Sequence, residues 1–256
     1  MKILSSSRYF RSAEASRVPE GSVVYAVGDI HGRLDLLERM HALIEADAAK
    51  QRAPCTVVVY IGDYVDRGPE SRGVVELLIS QPLRARLAGL EVVHLIGNHE
   101  AFLLKFLEDP QSAGIWFMNG GDATLRSYGL DPWQVAQLDN FAEALRQTFA
   151  ERLPATHLAF FRDLKLSHEE GDYLFVHAGV RPGVALDAQK PEDLIWIRDD
   201  FLASNEDFGR VVVHGHTPER SPQVRANRIG IDTGAVYGGK LTTVVLEGSE
   251  RRFLQV

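Results

Sequence analysis

The sequence predicts an α/β fold in which two sheets pack face to face between layers of helices, with a helical insertion near the middle. Three observations carry this. Short β-branched runs alternate with amphipathic helical patterns through the first hundred or so residues. Residues 110 to about 165 then read as mostly helical, and afterwards the strand pattern returns without long helices between the strands.

In the first part, the apolar run 23–27 enters Gly28-Asp29, and Leu34, Leu37, Met40, Leu43 and Ile44 then recur at helical spacing. The run 57–61 enters Gly62-Asp63, and Val74, Val75, Leu77, Leu78 and Ile79 predict a second helix that stops before Pro82. The run 92–96 enters Gly97-Asn98-His99-Glu100, with Phe102, Leu103, Phe106 and Leu107 continuing as a third helix. Strand–helix alternation of this kind implies a parallel sheet covered by helices. The central stretch is rich in aromatic residues (Trp116, Phe117, Trp133, Phe141, Phe149, Phe160, Phe161) and carries an Asn119-Gly-Gly turn. The late runs 174–176, 211–213, 229–231 and 241–246 predict a second, more antiparallel sheet. Residues 1–21 are expected to form a solvated tail, and residues 22–256 one domain.

The bulk properties exclude several classes. With 256 residues, 45% hydrophobic and 25% charged, the chain has the composition of an ordinary globular protein. A net charge of −7 offers no global attraction to nucleic acid or to an anionic membrane. Cys55 is the one cysteine, so neither an intramolecular disulfide nor a thiolate metal cluster can form, and a cytoplasmic setting is expected. Beside the run that follows it, Cys55 reads as a small buried thiol. No apolar run approaches a membrane span.

The chemistry lies in the turns. Five strand exits carry ligand-type residues in series: Gly28-Asp-Ile-His-Gly, Gly62-Asp-Tyr-Val-Asp-Arg-Gly, Gly97-Asn-His-Glu, His177-Ala-Gly and Gly215-His-Thr. Open α/β sheets bind ligands at the carboxyl ends of their strands, so these turns are expected to converge on one crevice. A single Gly-Asp turn or loop histidine would be unremarkable as local structure; five in series are hard to obtain from packing alone. Asp29, His31, Asp63, Asn98, His177 and His216 form a mixed oxygen and nitrogen set without thiolate, suited to Mn, Fe or Zn rather than to calcium. Six such side chains exceed one tetrahedral site and suit two divalent metals about 3.5–4 Å apart that share a carboxylate.

At these residues the chain resembles the phosphoprotein phosphatase family of the calcineurin-like metallophosphoesterases. The motifs from Gly28 to Thr217 match that family's signature closely, over roughly residues 22–247. The resemblance implies a two-sheet sandwich flanked by helices and assigns Asp29, His31 and Asp63 to a first metal. Asp63 would bridge to a second metal, completed by Asn98, His177 and His216. It makes His99 the general acid, oriented by Asp66, and places Arg67 and Arg198 on the phosphate oxygens, with Asn98 beside them. Arg198 lies in the looser stretch Trp196-Ile-Arg-Asp-Asp-Phe, where a surface ion pair is the competing reading. In His214-Gly-His216 the resemblance selects His216 as the ligand and leaves His214 beside the metal shell.

The expected chemistry is direct attack of a metal-bridging hydroxide on a phosphomonoester, with phosphoserine or phosphothreonine in proteins as the leading substrate. Symmetrical hydrolysis of dinucleoside tetraphosphates uses nearly the same motifs and stays open from the turns alone. The difference is expected in the central stretch, where Trp116, Asn119, Arg126 and Tyr128 either contact the substrate or simply pack. A non-catalytic binding protein on the same fold would be expected to lack some of these ligands. A nuclease-type phosphodiesterase fits the acidic balance poorly. Oligomeric state is not written in the chain.

Overall fold

The computed structural model describes residues 16–50, 53–80, 83, 87, 89–134 and 140–256. The first sheet has the order β10-β9-β1-β2-β3, formed by β1 (Ser22–Val27), β2 (Cys55–Tyr60), β3 (Leu90–His94), β9 (Thr242–Glu247) and β10 (Glu250–Gln255). The β1–β2 and β2–β3 pairs are parallel. Parallel neighbours need a crossover, and the helical patterns read from the sequence supply it as α1 (Leu34–Ala48) and α2 (Ser71–Ser80). The third predicted helix is α3 (Asn98–Glu108). Pro82, the expected stop after α2, lies outside the described residues.

The second sheet has the order β4-β5-β6-β8-β7, formed by β4 (Ser167–Glu170), β5 (Tyr173–Val176), β6 (Val211–His214), β7 (Gln223–Val224) and β8 (Arg228–Gly230). It is not more antiparallel than the first. The β5–β6 and β6–β8 pairs are parallel, and only the edge pairs β4–β5 and β7–β8 are antiparallel. The connection from β5 to β6 carries two short helices, α8 (Pro191–Trp196) and α9 (Asp199–Ala203), which suffice for a crossover. The last predicted strand does not close this sheet either: β9 joins the first, antiparallel to β1. It is buried on both faces, which fits its central place between β1 and β10 in a sheet with covered faces.

Side-chain alternation sorts the strands into layers. Val24, Ala26, Val57, Val59 and Ile61 face Tyr173, Phe175, Val211, Val213 and Ile229 in the core between the sheets. The alternate set Val23, Tyr25, Val27, Val58 and Tyr60 faces outward into a helical layer that includes Leu37, Met40, Val74 and Leu103. Across the molecule, Leu174, Val176 and Val212 pack against Leu194, Ile195 and Phe201. The result is an α/β/β/α sandwich.

The central stretch forms α4 (Ala113–Met118), α5 (Gly121–Ser127), α6 (Phe141–Arg152) and α7 (Ala155–Arg162). Trp116, Leu125, Phe149 and Phe161 from these helices are buried in the outer core of the first sheet. Most of the expected N-terminal tail lies outside the described residues. Residues 16–18 are held by the second sheet and the β9–β10 turn: Val18 N–H donates to Gly248 O at 3.1 Å, and Asp172 N–H to Arg17 O at 2.8 Å. Cys55 is half-buried rather than buried, because it opens β2 at the sheet margin.

Candidate active site

The strand exits converge, and backbone bonds tie them together. Ile30 and His31 N–H both donate to Asp63 O, at 3.0 and 2.8 Å, joining the turn after β1 to the turn after β2. Gly215 N–H donates to His177 O at 2.8 Å, joining the turns after β6 and β5. Two glycines make the close approaches possible. A Cβ on Gly97 would collide with Asp63 Oδ1, and one on Gly215 with Asp29 Oδ1. The non-glycine residues with positive φ, among those described, are His31, Asp63, Asp66, Arg67 and His216, with φ from 48° to 71°. All belong to the predicted site. Left-handed backbone at such residues costs about 1–3 kcal/mol each and persists only where surrounding contacts impose it.

Asp63 sits at the centre. Its Oδ2 lies 3.4 Å from His31 Nε2 and its Oδ1 lies 3.4 Å from His177 Nε2. Two groups with the side chains for cation binding meet there, His31–Asp63–His99 and Asp63–His177–His216, and Asp63 belongs to both. Asp29, in the turn after β1, accepts the N–H of His216 from the turn after β6 at 3.3 and 3.1 Å on its two oxygens. Asn98 Oδ1 lies 3.0 Å from His177 Nε2.

Ring tautomers indicate what these groups would hold. The Nδ1–H of His31 donates to Val65 O at 2.8 Å, and that of His177 to Ile61 O at 2.9 Å. His177 therefore directs its Nε2 lone pair toward the Asn98 amide and Asp63 carboxylate oxygens, while His31 Nε2 faces Asp63 and also meets an Arg67 N–H. Lone pair facing lone pair is repulsive unless a cation lies between them, so the donor set fits divalent metal. With a proton as the only available cation, burial opposes the charge on His177. The Asp63 and Asp29 carboxylates outweigh it and raise the ring to about 9. Burial lowers His31 to about 3 and also holds His216 far below its ordinary value, which keeps both rings neutral as ligands require. Burial pushes Asp63 up, but His177, His99 and His31 pull harder and hold it well below the usual carboxylate range.

Beside this centre stands a second constellation. His99 Nδ1 bonds Asp66 Oδ2 at 2.7 Å, while His99 Nε2 is buried without a hydrogen-bond partner and lies 3.9 Å from Asp63 Oδ2. Burial disfavours the charged ring, yet Asp63 and Asp66 together raise its pKa. Arg67 NH1 reaches His31 Nε2 at 2.7 Å, and its guanidinium lies over the Tyr237 ring at 5.5 Å. Arg198 Nε donates to His216 Nε2 at 3.0 Å, which brings it to the crevice rather than to a surface ion pair.

Every residue singled out from the sequence for metal or phosphate thus reaches one crevice, and His214 does not. It ends β6, its ring meets Phe201 edge-on at 5.0 Å, and its Nδ1 bonds Gly215 O at 3.1 Å. Trp116 and Tyr128 are buried, so neither is available to contact a substrate. Arg126 pairs with Asp122 on its own helix.

Three residues given no role from the sequence also belong here. Glu100, the last letter of Gly97-Asn-His-Glu, accepts N–H groups from Gly97, Asp63, Tyr64 and Val65 at 2.8–3.3 Å, fastening two of the turns. Asp232 follows β8 as Asp63 follows β2. Burial and the Asp63 charge raise it to about 6, against the pull of the Gly234 N–H. Its position after an apolar run was the available signal. Tyr237 had none, because only the fold brings it over Arg67.

Comparison with known proteins agrees with this geometry. Residues 22–240 match the calcineurin-like phosphoesterase family. The chain is 34% identical over 224 residues to serine/threonine-protein phosphatase 1 of Salmonella typhimurium, covering 86% of this chain and 89% of that protein. It is 24% identical over 233 residues to an asymmetrical bis(5'-nucleosyl)-tetraphosphatase of Oceanobacillus iheyensis, covering 84% and 85%. Among solved structures, a putative diadenosine tetraphosphatase shares the fold with a TM-score of 0.61 at 23% identity, over 94% of this chain and 98% of that one. A cold-active protein tyrosine phosphatase does so with a TM-score of 0.57 at 20% identity, over 95% and 83%. With the matched region running through all the converging turns, this chain belongs to the calcineurin-like phosphoesterase family and is a hydrolase of phosphoric esters.

Proposed function

We propose that the chain is a dinuclear metal-dependent phosphomonoesterase whose substrate is phosphoserine or phosphothreonine in proteins. The observation that carries this reading is one carboxylate, Asp63, shared between two groups of ligand-type side chains, with His99, a member of one of them, bonded through Nδ1 to Asp66. Asp29, His31 and Asp63 would hold one metal, and Asp63, Asn98, His177 and His216 the other, with manganese the leading candidate and iron or zinc the alternatives. Metals held there would acidify a water molecule to give a nucleophile at neutral pH and would neutralise phosphoryl oxygens.

The chain's own residues supply the rest. Arg67 and Arg198 enter from opposite ligand groups, through His31 and His216, and their planar forks suit the phosphoryl oxygens. Asn98 orients the group beside them. As the water oxygen bonds to phosphorus, the ester P–O bond breaks with its electron pair left on the departing oxygen. A serine or threonine alkoxide is a poor leaving group, and His99 Nε2–H gives it a proton while Asp66 stabilises the ring. A cytoplasmic location goes with this reading.

A second reading has its own support, since relatives named tetraphosphatases match over most of the chain. Those relatives are named asymmetrical, which differs from the symmetrical cleavage considered from the sequence. One assay separates the readings: the manganese-loaded protein on phosphoserine and phosphothreonine peptides, a simple phosphomonoester and diadenosine tetraphosphate, compared by kcat/KM. A peptide preference above about tenfold, or ~1.4 kcal/mol in the transition state, supports the proposal. A like preference for the dinucleotide overturns it, and no turnover of any substrate favours a binding protein on the same fold.

A further inference from the structure

The helices of the central stretch reach the candidate acid from behind. Asp66 is fully buried, and α4 and α5 occupy both of its oxygens. Trp116 Nε1–H donates to Oδ2 at 2.9 Å, the same oxygen that bonds His99 Nδ1 at 2.7 Å. Thr124 Oγ1–H donates to Oδ1 at 2.6 Å and in turn accepts Asp66 N–H at 2.8 Å. Neither donor is free to drift. The Trp116 ring has no exposed surface and packs on Phe106 and Phe149 at 5.0 and 5.9 Å, and Thr124 is equally buried.

The terminal torsion of an aspartate is soft and broad, so one imidazole contact would not fix the plane of its carboxylate. Donors on both oxygens do fix it, and the plane of the carboxylate sets the plane of the ring bonded to it. Asp66 and Arg67 are held at positive φ in the same turn. Arg67 N–H donates to Gly120 O at 3.1 Å, so the link between α4 and α5 also clamps the backbone that carries Asp66.

We propose that Trp116 and Thr124 are positioning residues of the reaction, holding Asp66 so that His99 presents its Nε2–H to the leaving oxygen. This rests on the reading of His99 as the acid. It gives the central stretch a part in the proton transfer in place of the substrate contact weighed for Trp116 from the sequence.

The test compares substrates that differ in their need for an acid: a phosphoserine peptide, with an alkoxide leaving group, and p-nitrophenyl phosphate, whose leaving group needs little protonation. Trp116→Phe keeps an aromatic ring in the core and removes the N–H. Thr124→Val keeps the shape and removes the hydroxyl, and Thr124→Ser restores it. Misplacing a reacting group by about 1 Å costs about a hundredfold, and a smaller shift costs less. In the metal-loaded protein, kcat/KM on the peptide should fall about tenfold in Trp116→Phe and in Thr124→Val. On the aryl ester it should stay within about threefold, and Thr124→Ser should recover the peptide rate.

Thr124→Val added to His99→Asn should cost nothing further on the peptide, because residues acting through one group do not add. Equal losses on both substrates, no loss, or a full additional loss in the double variant would overturn the proposal. The single variant His99→Asn separates the two claims. If it is equally slow on both substrates, the acid reading itself fails. If it discriminates between them while the Trp116 and Thr124 variants do not, only the positioning role fails. Should Trp116→Phe not fold, the Thr124 pair carries the same test.

Discussion

The two sheets contribute to the crevice in different ways. Turns of the first sheet bring His31, Asp63, Asp66 and Arg67, all with left-handed backbone, and α3 starts with Asn98 and His99. The second sheet brings His177 and His216 almost directly from strand ends, and of these only His216 is left-handed. Several functional groups placed on one short turn cannot all point inward from regular backbone. The first sheet therefore carries the strain, and Glu100, Trp116 and Thr124 hold it in place. In this reading one half of the crevice carries ligands and proton chemistry, and the other half chiefly ligands.

The largest expected effect comes from Asp63, which the first half contributes and both ligand groups share. Asp63→Asn should lose both metals and lower kcat by a factor on the order of a thousand or more. Elemental analysis finding two retained ions would break the view that the halves share this carboxylate. His99→Asn, in the first half alone, should keep both metals and lose roughly a hundredfold or more on a phosphoserine peptide, with a much smaller loss on p-nitrophenyl phosphate.

Arg67→Ala should raise KM and slow turnover, by on the order of tenfold to a hundredfold in kcat/KM, through loss of a fork on the phosphoryl oxygens. An unchanged rate at low substrate would remove Arg67 from the phosphate. The smallest effect is expected from His214, which lies two residues from His216 but faces Phe201. His214→Asn should keep the full metal content and an activity within about threefold of the parent. Loss of one metal would mean that the second half uses both histidines of the His-Gly-His turn.

Much of the layout was legible because strand–turn–helix alternation marks strands buried on both faces. The strands missed were β4, β7 and β10, and each lies at a sheet edge. Ser167–Glu170 and Glu250–Gln255 are polar and only partly buried, so they carry little of the apolar signal that marks a central strand. The sheet assignment of β9 failed for a related reason. Its buried faces are evident in the sequence, while the sheet that covers them is a matter of long-range pairing.

The choice of His216 over His214 came from the family resemblance, whereas the amino-acid sequence by itself determined the turns that converge and the candidate ligands they carry. These follow from local chemistry, because ligand-type residues stand where apolar strands end and glycines let the backbone approach. Only the tertiary structure decided that Trp116 and Thr124 hold Asp66, that Tyr237 lies over Arg67, and that Glu100 fastens the turns. Trp116 and Thr124 lie 50 and 58 residues from Asp66 in the chain. No local pattern links residues that far apart. Their meeting depends on how the helices of the central stretch settle against the first sheet, and burial of their apolar faces settles it.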